Sequence, residues 1–435
     1  MLKKQKKTNT DHKYFSHVKT VGEISEYKLK NNGLRVLYMN IPQTGVVTTN
    51  IVYLVGSRDE RVGETGVAHM LEHMLFKPTK KDKELRQDSA ILKLEREVGG
   101  ILNANTWSDR TSYYLSTGVE HFSKILEIES ERMRNVLLID KEFLPERTNV
   151  LSEFDMYNGD PHFALSVEMV CSAFHSHPYG HETIGFREDI EAYTVDKLQY
   201  FYNHYYRPNN AVLVVIGDVD LEKTLAEIYE KFSHLDPEPN VEIRPVVKEP
   251  KQEGLRRIEI VRPGTINMLA IGAKHPGFPS VGWFETMIAL KILVEGEDSV
   301  LQNKLVDTGL ASVVSFNQQP TKDMDLATIF ITLTKKSNHQ KMEELVRKII
   351  SEIDDNLIKK KLRTIIAKTV STEVFNRDSS LDIASELTEY ISAGNWAAYF
   401  ETEALLKSIT VKQIRERLND LFVDSALTIG AYKSF

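Results

Sequence analysis

Cysteine is almost missing from this chain: Cys171 stands alone among 435 residues. A lone thiol excludes an intramolecular disulfide and any Cys-rich metal centre, so a metal would have to sit on His, Asp or Glu. Also missing is a run of about 18 uncharged apolar residues of the kind that crosses a membrane. The basic start MLKKQKKTNTDHKYFSH has no apolar stretch of roughly 7–15 residues behind it, so no secretory signal is expected. The expected location is cytoplasmic, or periplasmic for a chain whose signal has been removed. Nor is there a basic surplus: 55 Lys and Arg face 62 Asp and Glu, for a net charge of −7. That balance argues against nucleic acid as the main partner, and the lysine runs Lys3 to Lys7 and Lys359 to Lys361 read as solvated faces.

What is present is the composition of a globular protein, with 41% hydrophobic and 27% charged residues. The length exceeds one core and suggests two domains of about 200 residues. Asn31-Asn32-Gly33 between 24–30 and 34–41 is a hairpin signal, and Val46 to Val55 has the β-branched richness of a buried strand. A helix is expected from Gly66 to Pro78, another over Leu85 to Val98, then strands over Ile101 to Thr106 and Thr111 to Thr117. Helical periodicity follows at Val119 to Leu137, Lys141 to Tyr157 and Pro161 to Phe174, and a strand at Ala211 to Ile216.

After the proline-rich stretch 237–250 the order recurs, with strands near 256–261 and 268–274, a helix over 281–293, strands near 311–316 and 326–334, and a last strand at 427–432. The chain thus reads as an α+β protein with two homologous domains, each a mostly antiparallel sheet packed with helices. The boundaries expected are an N-terminal extension 1–20, a first domain 21–236, a linker 237–250 and a second domain 251–435.

The stretch that carries chemistry is His69-Met70-Leu71-Glu72-His73. On a helix, residues three and four apart share a face, so one turn offers two imidazoles and a carboxylate to a single point. Two neutral imidazoles suit Zn²⁺, and a nearby carboxylate off the metal can take a water's proton. With 13 His and 62 acids, chance yields such a pentapeptide roughly 0.06 times in a chain of this length, so the motif needs a third ligand as support. Glu146 and Glu153 stand two turns apart on the helix Lys141 to Tyr157 and share one face. If that face packs on the histidines, one acid can ligate and the other can back a ligand; otherwise it is a solvated face. His175, His177 and His181 lie in a His/Pro/Gly loop and are assigned to loop structure rather than to a metal.

Four stretches in order resemble the pitrilysin and mitochondrial-processing-peptidase family of zinc metallopeptidases. They are HMLEHMLFKPT, GGILNANTWSDRTSYY, ERTNVLSEFDMYNGDP and HPYGHETIGFREDIEAYTVDKLQYFYNHYYRPNNAVLVVIGDVD. The likeness is greatest to the short-chain branch, in which each chain supplies two domains and two chains close a clamshell. The resemblance implies His69 and His73 as zinc ligands, Glu72 as general base, Glu153 as third ligand and Glu146 as the acid behind a ligand. It further implies an edge strand over Gly100 to Thr106, with Asn103, Ala104 and Asn105 meeting an extended peptide through backbone hydrogen bonds.

One departure stands out. Family members that work alone carry an arginine and, seven positions on, a tyrosine in a segment resembling LREKRGLAY; here Leu305 and Ser312 hold those places. The resemblance thus implies a zinc-dependent endopeptidase that needs a homologous partner subunit to supply Arg and Tyr, a heterodimer, with a homodimer of this chain left open. A non-proteolytic assembly subunit of the same fold is the alternative.

Overall fold

The computed structural model describes residues 12–239 and 248–435. Most of the expected linker, 240–247, and the first eleven residues of the expected N-terminal extension lie outside them.

The first half is built on seven strands: β1 (Phe15–Val21), β2 (Ile24–Leu29), β3 (Arg35–Asn40), β4 (Val46–Tyr53), β5 (Ile101–Thr106), β6 (Thr111–Gly118) and β7 (Ala211–Gly217). Their order across the sheet is β1-β2-β3-β7-β4-β6-β5. The second half has β8 (Arg256–Arg262), β9 (Met268–His275), β10 (Ala311–Asn317), β11 (Asp325–Leu333) and β12 (Leu427–Ser434), in the order β10-β11-β9-β12-β8. Read from the opposite edge, β8-β12-β9-β11-β10 repeats β3-β7-β4-β6-β5, including the single parallel pair (β3 with β7, β8 with β12) amid antiparallel ones. The expected duplication is therefore present strand for strand, with the hairpin β1–β2 added to the first sheet only.

That hairpin corrects the expected extension, because Phe15–Val21 pairs along β2 and Phe15 is fully buried. A charged, exposed stretch such as HVKTV conceals the strand in the sequence: only one side of this sheet edge meets the core. The helix expected over Leu85 to Val98 begins only at Ala90, and a separate short helix precedes it. Thr79 and Asp82 cap a short helix, Lys80–Glu84, and a second helix, Ala90–Val98, starts behind Ser89.

The halves are fastened by exchanged helices. Residues of β7 alternate between two cores: Leu213 and Val215 pack with the first half's own helices, while Val212, Val214 and Ile216 join the core of the second half. The helix Ser380–Ser392 lies on that second face, where Asn50 of β4 donates to Thr388 Oγ1 at 2.7 Å. Reciprocally, helix Pro161–Ala173 lies on the second sheet, with Met169 seated over β12. Gly430 leaves room for it, since a Cβ there would meet Met169 Sδ at 2.7 Å.

Candidate metal centre

The histidine helix, Val67–Met74, buries Val67, Ala68, Met70, Leu71 and Met74. This apolar stripe fixes its roll, so His69, Glu72 and His73 are presented along one border of the buried face. Its N-terminus is anchored by Glu60, whose buried carboxylate accepts from Gly66 N at 2.7 Å and Ala68 N at 2.9 Å, and which lies 3.0 Å from His181 Nε2. Gly66 itself has φ 87°, and a Cβ would fall 2.3 Å from Ile184 O.

The acids arrive on the helix Asp140–Asn158. His69 Nε2 and His73 Nε2 lie 3.3 Å apart, with Glu153 Oε2 at 3.9 and 3.6 Å from them. Two nitrogens held by one tetrahedral zinc ion at about 2.05 Å are themselves ~3.3 Å apart, so the donor set has the size and chemistry of such a site. Among the described residues this is the one group of three His, Cys, Asp or Glu side chains that converges in this way.

Behind it, Glu146 Oε1 lies 2.9 Å from His73 Nδ1, and its other oxygen is paired with Lys77. A carboxylate can only accept, so Nδ1 carries the hydrogen and Nε2 turns a lone pair, or a displaceable proton, toward Glu153 and His69. The hydrogen bond from His73 and the Lys77 ammonium, against the opposing effect of burial, hold the Glu146 carboxyl down at about 2. Burial pulls His73 down, but its bond to Glu146 and the charges of Glu72, Glu146 and Glu153 outweigh that and raise it. His69, buried and beside His73, is pushed down to about 3 and is neutral at ordinary pH. Metal binding therefore has at most one imidazole proton to displace, that of His73.

Glu72 is a third kind of group. It lies outside the converging donor set; its Oε2 accepts from Thr106 Oγ1 at 2.5 Å, and burial raises its affinity for a proton. Thr106 ends β5, the outermost strand on this side of the sheet. Of the expected strand residues, Ala104 directs its N–H to Asn103 Oδ1 at 2.9 Å rather than to β6, while the Asn105 carboxamide accepts from Ser112 Oγ at 2.9 Å and from Arg110.

The structure thus brings His69, Glu72, His73, Glu146 and Glu153 together, and sets Asn103, Ala104 and Asn105 on the adjoining edge. The three loop histidines disperse: His175 N donates to Glu249, His177 lies 3.6 Å from Asp323, and His181 meets Glu60. Sequence reasoning missed Lys77, Thr106 and Glu60. Lys77 was within reach, four residues after His73 and just past the end of its helix; Thr106 and Glu60 gave no signal, because their partners are brought to them by the fold. In the second half, Leu305 is wholly buried and Ser312 is exposed on β10, its hydroxyl donating to Thr332 O at 3.4 Å.

Together, the two-sheet fold and this donor set define a metallopeptidase-like protein. Residues 35–186 match the family described as insulinase (peptidase family M16), and residues 192–368 match the peptidase M16 inactive domain. The zinc protease PqqE of Helicobacter pylori is 30% identical over 410 residues, covering 91% of this chain and 90% of that protein. The crystal structure of a protease from Helicobacter pylori superposes with a TM-score of 0.87 at 28% identity, over 95% of this chain and 100% of that one. The periplasmic protease PqqL of Escherichia coli shares the fold at 18% identity, with a TM-score of 0.76 over 97% of this chain and 48% of its own. The chain belongs to the peptidase M16 family.

Proposed function

We propose that this chain is the zinc-bearing subunit of an endopeptidase that hydrolyses extended peptides or small unfolded proteins. The observation that carries the reading is the convergence of His69, His73 and Glu153 on one point, with Glu72 beside it and bonded to the edge strand. Zinc bound by those three would supply Lewis acidity, making a water more acidic and polarising a peptide carbonyl. Glu72 is the general base, buried so that its proton affinity lies nearer neutral pH; it takes a proton from the attacking water and returns it to the leaving amine. Glu146, kept ionised by Lys77, fixes the His73 ring.

A substrate segment adds to β5. In an antiparallel ladder alternate residues turn their N–H and C=O to opposite edges, so the backbone contact falls on Ala104 once Asn103 releases its amide. Asn103 then acts as a side-chain gate, and Asn105 holds Arg110. Thr106, on the same strand, links peptide pairing to the position of Glu72.

Leu305 and Ser312 favour a partner. Neither a buried leucine nor an exposed serine can supply an arginine and a phenol to substrate, and removing one oxyanion donor typically costs about 10²–10³ in rate. The fold of this chain also occurs as about half of a longer protease chain, 48% of PqqL, a precedent for two such units working together. The test is to purify the chain alone and together with a homologous short-chain partner that retains Arg and Tyr. Zinc content of wild type and His73→Ala, and cleavage of an unstructured peptide with and without chelator, are measured. Stoichiometric zinc in the wild type only, with chelator-sensitive cleavage in the pair, is expected. Full activity of the isolated chain sinks the partner requirement, and a wild type without zinc favours the assembly-subunit reading.

A further inference from the structure

The duplication assigns a second-half counterpart to the metal centre, and its side chains are of opposite charge. Helix Val281–Val294 follows β9 as the histidine helix follows β4, and helix Asp355–Phe375 stands where Asp140–Asn158 does, second of the five α-helices that run from β11 to β12 and from β6 to β7. Glu146 and Glu153 are the seventh and fourteenth residues of the one helix; Lys361 and Lys368 are the seventh and fourteenth of the other. Lys291 occupies the last turn of its helix, as His73 does. These three lysines, with Lys360, line a cavity of about 160 Å³ between the two helices. That volume is well above the 10–15 Å³ needed for a water.

Two carboxylates accompany the four lysines in the lining, Glu295 and Asp298. Lys291 pairs with Glu295 at 2.6 Å and Lys361 with Asp298 at 2.9 Å. Both acids face solvent, Asp298 with 82% of its side chain exposed against 12% for Lys361, so an incoming anion can take over the ammonium at little cost. Lys360 and Lys368 make no ion pair among the described residues. The cavity is also lined by Ser299 and Thr369, at least nine-tenths buried, whose hydroxyls have no hydrogen-bond partner. Lys360 and Lys368 are exposed and can turn to an acceptor-only ligand, while the two hydroxyls are closed off in the wall and would have to open to reach it.

We propose that this cavity binds a phosphate-class oxyanion, as inorganic phosphate or as the phosphate monoester of a larger molecule. The lysine helix sets two ammonium groups at the positions of the two carboxylates, Glu146 and Glu153, on the same scaffold. The site is separate from the His69–His73 centre and does not depend on what that centre does.

The test is a titration of the full chain with inorganic phosphate and, in parallel, with O-phosphoserine, against sodium chloride at matched ionic strength. Thermal melting and calorimetry are the readouts. Saturable stabilisation by phosphate at millimolar concentration or below is expected, and Lys361→Ala/Lys368→Ala should weaken it about tenfold or more. A response to inorganic phosphate alone identifies a free-ion site, and a tighter response to phosphoserine identifies a monoester site; both support the proposal. No shift beyond the chloride control overturns it. So does a shift that Lys368→Ala, a surface substitution expected to fold, and the double variant both leave unchanged.

Discussion

The two halves bring the same pair of helices together and fill the space between them differently. In the first, Val67–Met74 has one apolar stripe and leaves His69, Glu72 and His73 half-buried at its border, facing Glu146 and Glu153. In the second, ten of the fourteen residues of Val281–Val294 are buried, and the helix is apolar almost all round. Such a helix is a core element, and the border it keeps carries Lys291 rather than an imidazole. The fold therefore supplies two equivalent frames, and among the described residues the side chains at a handful of positions give only one of them a converging set of His and Glu donors. The most damaging test of that contrast is Glu72→Gln. It should retain the metal and lose about 10²–10⁴ in peptide cleavage by the complete complex, measured together with zinc content. Equal loss of zinc would mean that Glu72 is a ligand, and the contrast would have to be redrawn.

Glu146→Gln sharpens the same comparison from behind the ligands. The amide still accepts from His73 Nδ1 but lacks the charge that Lys77 stabilises. Zinc affinity should fall by about 10–100-fold, read by competition with a chromogenic chelator, with the melting temperature little changed. Unaltered affinity would reduce Glu146 to the buried partner of Lys77.

How far the sequence carried this depended on where each signal lies. The histidine turn and the Glu146/Glu153 spacing are local, periodic patterns on single helices, and the duplication shows as a recurring order of strands and helices. β1 was not legible, because HVKTV carries no alternation that separates an edge strand from a tail. The roles of Thr106 and Glu60 were not legible either, since each acts across more than five residues of chain on a group that only the folded sheet brings near. Of the charge inversion only Lys361 was visible, as part of the run Lys359 to Lys361 that reads as a solvated face, and Lys368 gave no signal. The meaning of the inversion came from the counterpart helix.

The seam between the halves gives a pH-dependent test. Glu249 accepts from the backbone N–H groups of His175 and Ser176 at 3.0 Å and of His177 at 3.1 Å, all in the first half, and from Lys274 of β9 at 2.9 Å. Burial alone would raise its carboxyl, but these donors overcome it and hold it at about 2. A carboxyl whose folded value lies below its ordinary 4.5 contributes stability that is complete above that value and is lost as pH falls through about 2. Melting of the wild type should therefore drop between pH 5 and pH 2 more steeply than that of Glu249→Gln. The variant should be less stable by roughly 1.5–3 kcal/mol at neutral pH. Parallel pH profiles would remove Glu249 from the seam.

The smallest expected effect belongs to Ser312, and it separates position from chemistry in the second half. Its side chain is exposed on β10 and its one hydrogen bond, to Thr332 O, is long at 3.4 Å. Ser312→Tyr should shift stability by no more than about 0.5 kcal/mol, as surface substitutions away from packed features do. It should also fail to raise cleavage by the isolated chain, because the companion position is Leu305, wholly buried in the core, where no guanidinium reaches a substrate. Chemical denaturation and peptide cleavage by the zinc-loaded variant check both halves of the statement. A substantial gain in activity from the tyrosine alone would show that the second half lacks only a phenol, and that no partner subunit is required to complete the site.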